Sequence, residues 1–77
     1  MKVRITKRHI AEGTQNSARK CPIALALSDS GACHAAVFIT WAYVDGGSFT
    51  LAEQARQFTA NFDAGRPVSP GWLTVWE

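Results

Sequence analysis

The apolar residues of this chain fall in short blocks, and the period changes from block to block, which dictates a mixed α and β fold. Residues 2–6 alternate cationic and β-branched side chains, the period-two signature of a half-buried strand. Val3 and Ile5 are expected to face a core, with Lys2, Arg4 and Thr6 facing outward. Residues 36–44 (Ala-Val-Phe-Ile-Thr-Trp-Ala-Tyr-Val) are β-branched and aromatic, which predicts one strand, central in its sheet because both faces are apolar. Asp45-Gly46-Gly47 is a turn signal, and Ser48-Phe49-Thr50 is expected to return as a short antiparallel strand. Trp72 to Trp76 reads as a final strand.

Other blocks follow helical spacing. Thr6 is placed to N-cap a short helix over Lys7 to Glu12, with Gly13 as a left-handed stop. Pro22 suits the first position of a helix running to about Ser30 and closed by Gly31. Its Ile23, Leu25 and Leu27, set among alanines, make it apolar nearly all round and therefore buried. Thr50-Leu51-Ala52-Glu53 fits a capping box, and Leu51, Ala55, Phe58 and Phe62 form an apolar stripe behind it. Gly65 and Pro67 end that helix. Residues 14–20 are polar and read as a loop.

With 77 residues there is enough chain for one core and no more, so residues 1–77 are read as a single domain. The order of elements predicts an α+β fold: a small, mainly antiparallel sheet of three to four strands, with two main helices packed on one face. The charged start lacks the apolar segment of an export signal, and no apolar run approaches the length of a membrane span. Both point to a cytoplasmic protein with no membrane association. Cys21 and Cys33 flank the predicted buried helix, whose length holds them too far apart for a disulfide, and free thiols are expected.

Charge is the clearest electrostatic feature. In residues 1–20, Lys2, Arg4, Lys7, Arg8, Arg19 and Lys20 stand against Glu12 alone. In the rest, Arg56 and Arg66 stand against Asp29, Asp45, Glu53, Asp63 and Glu77, under an overall charge of +2. Lys7, Arg8 and His9 fall in the first turn of a predicted helix, where the dipole disfavours cations, so these residues are expected to serve something besides stability. Such a cluster suits phosphates or the acidic surface of a protein; the alternative is a solvated face. The final strand adds Trp72 and Trp76, which share a face with Thr74 and oppose Leu73 and Val75. If the aliphatic pair faces the helices, both indoles lie on an open sheet face and become interface anchors; otherwise they are core.

Reactive chemistry finds little to work with. His9, Cys21, Cys33 and His34 are potential zinc ligands, but their spacing is not the few-residue pairing of structural zinc sites. Cys33 beside His34 supplies a nucleophile and a base type without any elbow, glycine-rich phosphate loop or paired carboxylates. No catalytic residue, metal or cofactor is assigned.

Two segments carry a resemblance. Ile5-Thr6, His9-Ile10 and Gly13, followed by Cys21-Pro22-Ile23-Ala24-Leu25-Ala26-Leu27, resemble the opening of short uncharacterised proteins of tailed phages and prophages. Phe62-Asp63-Ala64-Gly65-Arg66-Pro67-Val68-Ser69-Pro70 resembles their ends. Residues between Ser28 and Ser48 carry no such likeness. The resemblance implies a phage or mobile-element origin and no activity, although small accessory proteins of that source often inhibit host defences, anti-CRISPR proteins among them.

The resulting expectation is a non-enzymatic protein that binds and occludes a host protein or complex, plausible contacts being Lys2, Arg4, Lys7, Arg8, Arg19, Lys20, Trp72 and Trp76. The alternatives are a nucleic-acid-binding regulator using the same cations, and a homodimeric virion or assembly protein.

Overall fold

The computed structural model spans Met1–Glu77. The order is β1 (Lys2–Ile5), α1 (Lys7–Glu12), α2 (Pro22–Asp29), β2 (Ala35–Val37), β3 (Trp41–Val44), β4 (Gly47–Thr50), α3 (Glu53–Asp63) and β5 (Gly71–Thr74). The fold is α+β with antiparallel strands throughout. The strands divide between two sheets: β1 pairs with β5, and β2, β3 and β4 form a three-stranded meander. Residues between β4 and α3 tie the sheets together. The Leu51 N–H donates to the Thr40 carbonyl in one sheet's turn, and the Ala52 N–H donates to the Val75 carbonyl at the end of the other.

The first strand follows its alternation, with Val3 and Ile5 buried and Lys2 and Arg4 exposed. Thr6 caps α1 in a full capping box: its hydroxyl accepts from the His9 N–H, and His9 Nδ1 accepts from the Thr6 N–H. Gly13 does not adopt the expected left-handed conformation, since its φ is −65°. Glycine is required there for closeness. A Cβ would sit 2.8 Å from Pro22 Cδ and 2.9 Å from the His9 carbonyl oxygen, so α1 can turn into α2 only over a bare backbone.

Pro22 opens α2 as expected, and Ile23, Ala24, Ala26 and Leu27 are buried. This helix packs on both β1 and β2 and so forms the centre of the molecule. Its neighbours in the core are Val3, Ile5, Val37, Ala42, Leu51, Phe58, Phe62 and Val75. Burying each large aliphatic or aromatic side chain stabilises the fold by about 1.5–3 kcal/mol.

Two expectations about local structure are corrected. The block 36–44 is two strands, because the chain reverses at Phe38–Trp41, where the Phe38 N–H donates to the Trp41 carbonyl. In addition, Thr50 is the last residue of β4 and caps nothing. The N-cap of α3 is Ala52, with no side-chain bond. The backbone N–H groups of Leu51 and Ala52 are already engaged by the two sheets, so the helix starts only beyond them. The stripe itself holds: Leu51, Ala55, Phe58 and Phe62 are all buried.

The Asp45-Gly46 turn is also as expected. Both residues have positive φ, 47° and 90°, the requirement of a two-residue turn matched to the twist of a hairpin. Asp45 Oδ1 further accepts from the N–H groups of Cys33 (3.0 Å) and His34 (2.8 Å), fastening the segment that enters β2.

Candidate functional site

The outer face of the meander follows from its register. Trp41 pairs with Thr50, Ala42 with Phe49 and Tyr43 with Ser48. Residues paired across an antiparallel ladder share a face, so Trp41 and Tyr43 stand outward with the short polar Thr50 and Ser48, while Ala42 turns into the core. Phe38 leaves β2 and stacks on Trp41, with ring centroids 4.5 Å apart and an interplanar angle of 19°. Ile39, at the tip of the turn, is 82% exposed. No Asp, Glu, Lys or Arg occurs between residues 30 and 44. The result is a protruding hairpin of exposed Phe38, Ile39, Trp41 and Tyr43 with no charge of its own.

That hairpin breaks two local rules at once. Turns favour Gly, Asn, Asp, Pro or Ser, whereas this one is Phe-Ile-Thr-Trp. A large β-branched residue at a turn tip also forgoes the burial it would gain elsewhere. Phe38 and Ile39 had no place among the candidate residues. The signal that would have found them is a nine-residue apolar block, longer than the usual strand of about 5–6 residues, in a chain too small to cover both its faces.

The basic residues form a second surface. Arg4 is the cross-strand partner of Trp72, and Lys2 of Thr74. Trp72 is 71% exposed, so an indole and two cations share the open side of the β1–β5 ribbon. Lys7 follows in the first turn of α1, and Arg19 and Lys20 are exposed in the turn before α2. Arg8 is also exposed but paired, its guanidinium 2.7 Å from Asp29 Oδ2. Trp76 is not on this face. It is half-buried and stacked on Phe49 of β4, with centroids 4.2 Å apart and planes at 10°.

The potential ligating and reacting groups are dispersed. No three His, Cys, Asp or Glu side chains come together. His9 is buried and both its ring nitrogens are occupied. The Thr6 N–H donates to Nδ1 at 3.0 Å, which places the ring proton on Nε2, 2.6 Å from Asp29 Oδ2. An imidazole bound at both ends has no atom left for a substrate or an ion. The hydrogen bond from His9 is the main influence holding the Asp29 carboxyl below its ordinary range. Cys33 and His34 are exposed on the segment before β2. Cys21 is buried at the N-terminus of α2, where its Sγ accepts from the Ala24 N–H at 3.5 Å, and burial pushes its thiol pKa up.

Comparison with known protein families, with characterised proteins and with solved structures gives no match. The likeness to phage proteins therefore rests on the sequence motifs alone. No helix is long and apolar enough to cross a membrane.

Proposed function

We propose that this chain is a small non-enzymatic binding module that docks on a host protein or complex and occludes part of its surface. The observation that carries this reading is Ile39, displayed at a hairpin tip beside the stacked Phe38 and Trp41. An uncharged patch rich in aromatics has the composition of an interface centre, where Trp and Tyr dominate and charged residues are depleted. Exposed apolar surface of this kind carries a solubility cost that a binding role offsets. The motif resemblance to tailed-phage proteins supplies the specific form: an inhibitor of a host defence, of the anti-CRISPR type, acting in the host cytoplasm.

The test is retention of a stoichiometric partner from bacterial lysate by the immobilised chain, compared with Ile39→Asp. Ile39 is too exposed for that change to affect folding, so the variant should melt like the parent and retain nothing. Equal retention by both, or none by the parent, overturns the reading.

A second reading has its own observation. Arg4 opposite Trp72, with Lys2 and Lys7 alongside, combines cations for phosphates with an indole on which a base can stack. Under this reading a mobility shift with single-stranded DNA appears at low salt, weakens steeply with added salt, and is lost in Arg4→Glu. No shift at low salt removes it.

A further inference from the structure

Every sheet edge but one is occupied or charged. Along β2, the Val37 N–H donates to the Ala18 carbonyl. Along β5, the Thr74 N–H donates to Gln54 Oε1 of α3 at 3.4 Å. The β1 edge carries Lys2 and Arg4, and charge on an edge strand guards it against pairing with another chain. β4 has none of these devices. Residues 46–52 contain no charge and no proline, and the β3–β4 ladder runs without a bulge.

The phase of that ladder decides which groups are free. The Leu51 N–H donates to the Thr40 carbonyl, and bonded pairs alternate along an antiparallel ladder. Gly47 and Phe49 therefore turn their peptide groups toward β3, whereas Ser48 and Thr50 turn theirs away from it, and no loop takes them up. The space beside them is open on both faces, bordered by Trp41 on the outer one and by Trp76 and Glu77 on the inner one. The Phe49 ring leaves the edge clear by lying back over Gly47, where a Cβ would come within 3.1 Å of the ring.

We infer that β4 is a self-association edge, at which a second copy of this chain pairs antiparallel about a two-fold axis at Phe49. The three-stranded meander thereby becomes half of one continuous sheet. A second copy is the occupant because the strand is complementary to itself. Ser48 and Thr50 are placed symmetrically about Phe49, so pairing each with the other across the seam uses every free N–H and C=O on both strands. A shift of two residues, setting Thr50 against itself, would call on Ala52, whose N–H already bonds to the Val75 carbonyl. The side chains match in the same register. Serine lies beside threonine on the outer face, and Phe49 meets Phe49 on the inner face as the closer, non-hydrogen-bonded pair, both favourable cross-strand combinations. A seam one short strand long is smaller than a stable interface, so association is weak and reversible, with a dissociation constant on the order of 100 µM. It stands apart from docking on a host protein, since it uses the backbone edge of β4 and not the tip at Ile39.

A dilution series spanning about tenfold either side of that constant, followed by sedimentation equilibrium and nitrogen-15 NMR, tests the seam. A monomer–dimer equilibrium is expected, with the Ser48 and Thr50 amides shifting more than those of Gly47 and Phe49, which already face β3. In a mixture of carbon-13-labelled and unlabelled chains, an Hα–Hα contact should connect Phe49 of one copy to Phe49 of the other. Glu77 is the only charge bordering the seam, so added salt should not weaken association. Ser48 and Thr50 are exposed, and the double variant Ser48→Lys/Thr50→Lys sets like charges opposite one another across the seam. It should melt like the parent and stay monomeric throughout the series. The inference is overturned if the parent is monomeric at the top of the series, if the dimer lacks the Phe49 contact, or if the double variant associates as the parent does. Dissociation by salt would equally overturn it, marking head-to-tail attraction between the basic opening segment and the acidic remainder.

Discussion

His9 Nε2 lies 2.6 Å from Asp29 Oδ2, joining α1 to the last residue of α2 through a buried imidazole and a half-exposed carboxylate. The bond from His9 lowers the Asp29 pKa most, partial burial opposes it, and the charge of Arg8 assists. A carboxyl with a depressed folded pKa contributes stability above its unfolded pKa, and that contribution is lost as pH falls through the folded one. Urea melts from about pH 5 down to about pH 2 should therefore show the parent losing stability below its ordinary carboxyl value of 3.8. Asp29→Asn should start less stable and lose less over the same range. The carboxylate is exposed, so screening keeps the effect small and added salt should shrink it. Parallel pH profiles for the two proteins would show that Asp29 contributes nothing specific.

The capping box gives a sharper contrast. Thr6 accepts from the His9 N–H, whereas Thr50, with the same look in sequence, ends a strand. Thr→Val keeps the β-branched shape at each position and removes only the hydroxyl oxygen. Thr6→Val should cost about 1 kcal/mol and increase amide exchange in α1. Thr50→Val should fall within about 0.5 kcal/mol of the parent. Equal costs in denaturant melts would mean that the Thr6 cap is not formed in solution.

That pair also marks how far the sequence could be read. A capping box is a local pattern, and both sites satisfy it. At Thr50 it loses to non-local bonds, because the Leu51 and Ala52 N–H groups are held by Thr40 and Val75. The same competition splits residues 36–44. Their propensities favour one long strand, but the ladder ends at Val37 opposite Ala42, and the Val37 N–H is taken by Ala18 in the preceding loop. The division into two sheets was invisible for the same reason, being decided by pairings between β1 and β5 at opposite ends of the chain. Elements with strong short-range signals were legible: the alternation of β1, Pro22 opening α2, the Asp45-Gly46 turn and the stripe of α3. Of the candidate site, the outward Lys2 and Arg4 followed from period two; the same period placed Trp72 and Trp76 on one face and left open whether that face was exposed, and only Trp72 is in the open. Phe38 and Ile39 depended on a turn that no residue type announces.

The two cysteines should behave differently. Cys33 is exposed, while Cys21 is 3% exposed and its thiol is raised above the ordinary 9.0 by burial. Since the thiolate is the reactive form, an aromatic disulfide reagent near neutral pH should modify Cys33 rapidly and reach Cys21 only on unfolding. Cys33→Ala should abolish the fast phase and leave the slow one. The raised Cys21 pKa also carries a stability consequence. A group with a raised folded pKa contributes stability that is present below its unfolded value and lost as pH rises through the folded one. The parent should therefore become easier to denature above about pH 9, and Cys21→Ala should show less of that alkaline loss. A single fast phase accounting for both thiols would contradict the buried placement.

Trp72 and Trp76 are four residues apart and have opposite roles. Trp72 stands in the open beside Arg4, and Trp76 stacks on Phe49 where the chain leaves β5. The separation has a cause in the ladder. Beyond Thr74 the Val75 N–H still donates to the Met1 carbonyl, while the Val75 carbonyl accepts from the Ala52 N–H on the other side, which holds the following indole toward β4. Trp76→Ala removes an aromatic stack worth about 0.5–1.5 kcal/mol beyond its buried area. With that area included, the loss should reach about 2–3 kcal/mol. Trp72→Ala should leave stability within about 0.5 kcal/mol and quench the more solvent-exposed, red-shifted part of the tryptophan fluorescence. Retention of a host partner by Trp72→Ala would then place the contact on the Ile39 hairpin alone, whereas loss would show that the basic ribbon takes part. Stability that falls equally in the two variants would mean that Trp72 is covered in solution, and the exposed ribbon face would have to be abandoned as a contact surface.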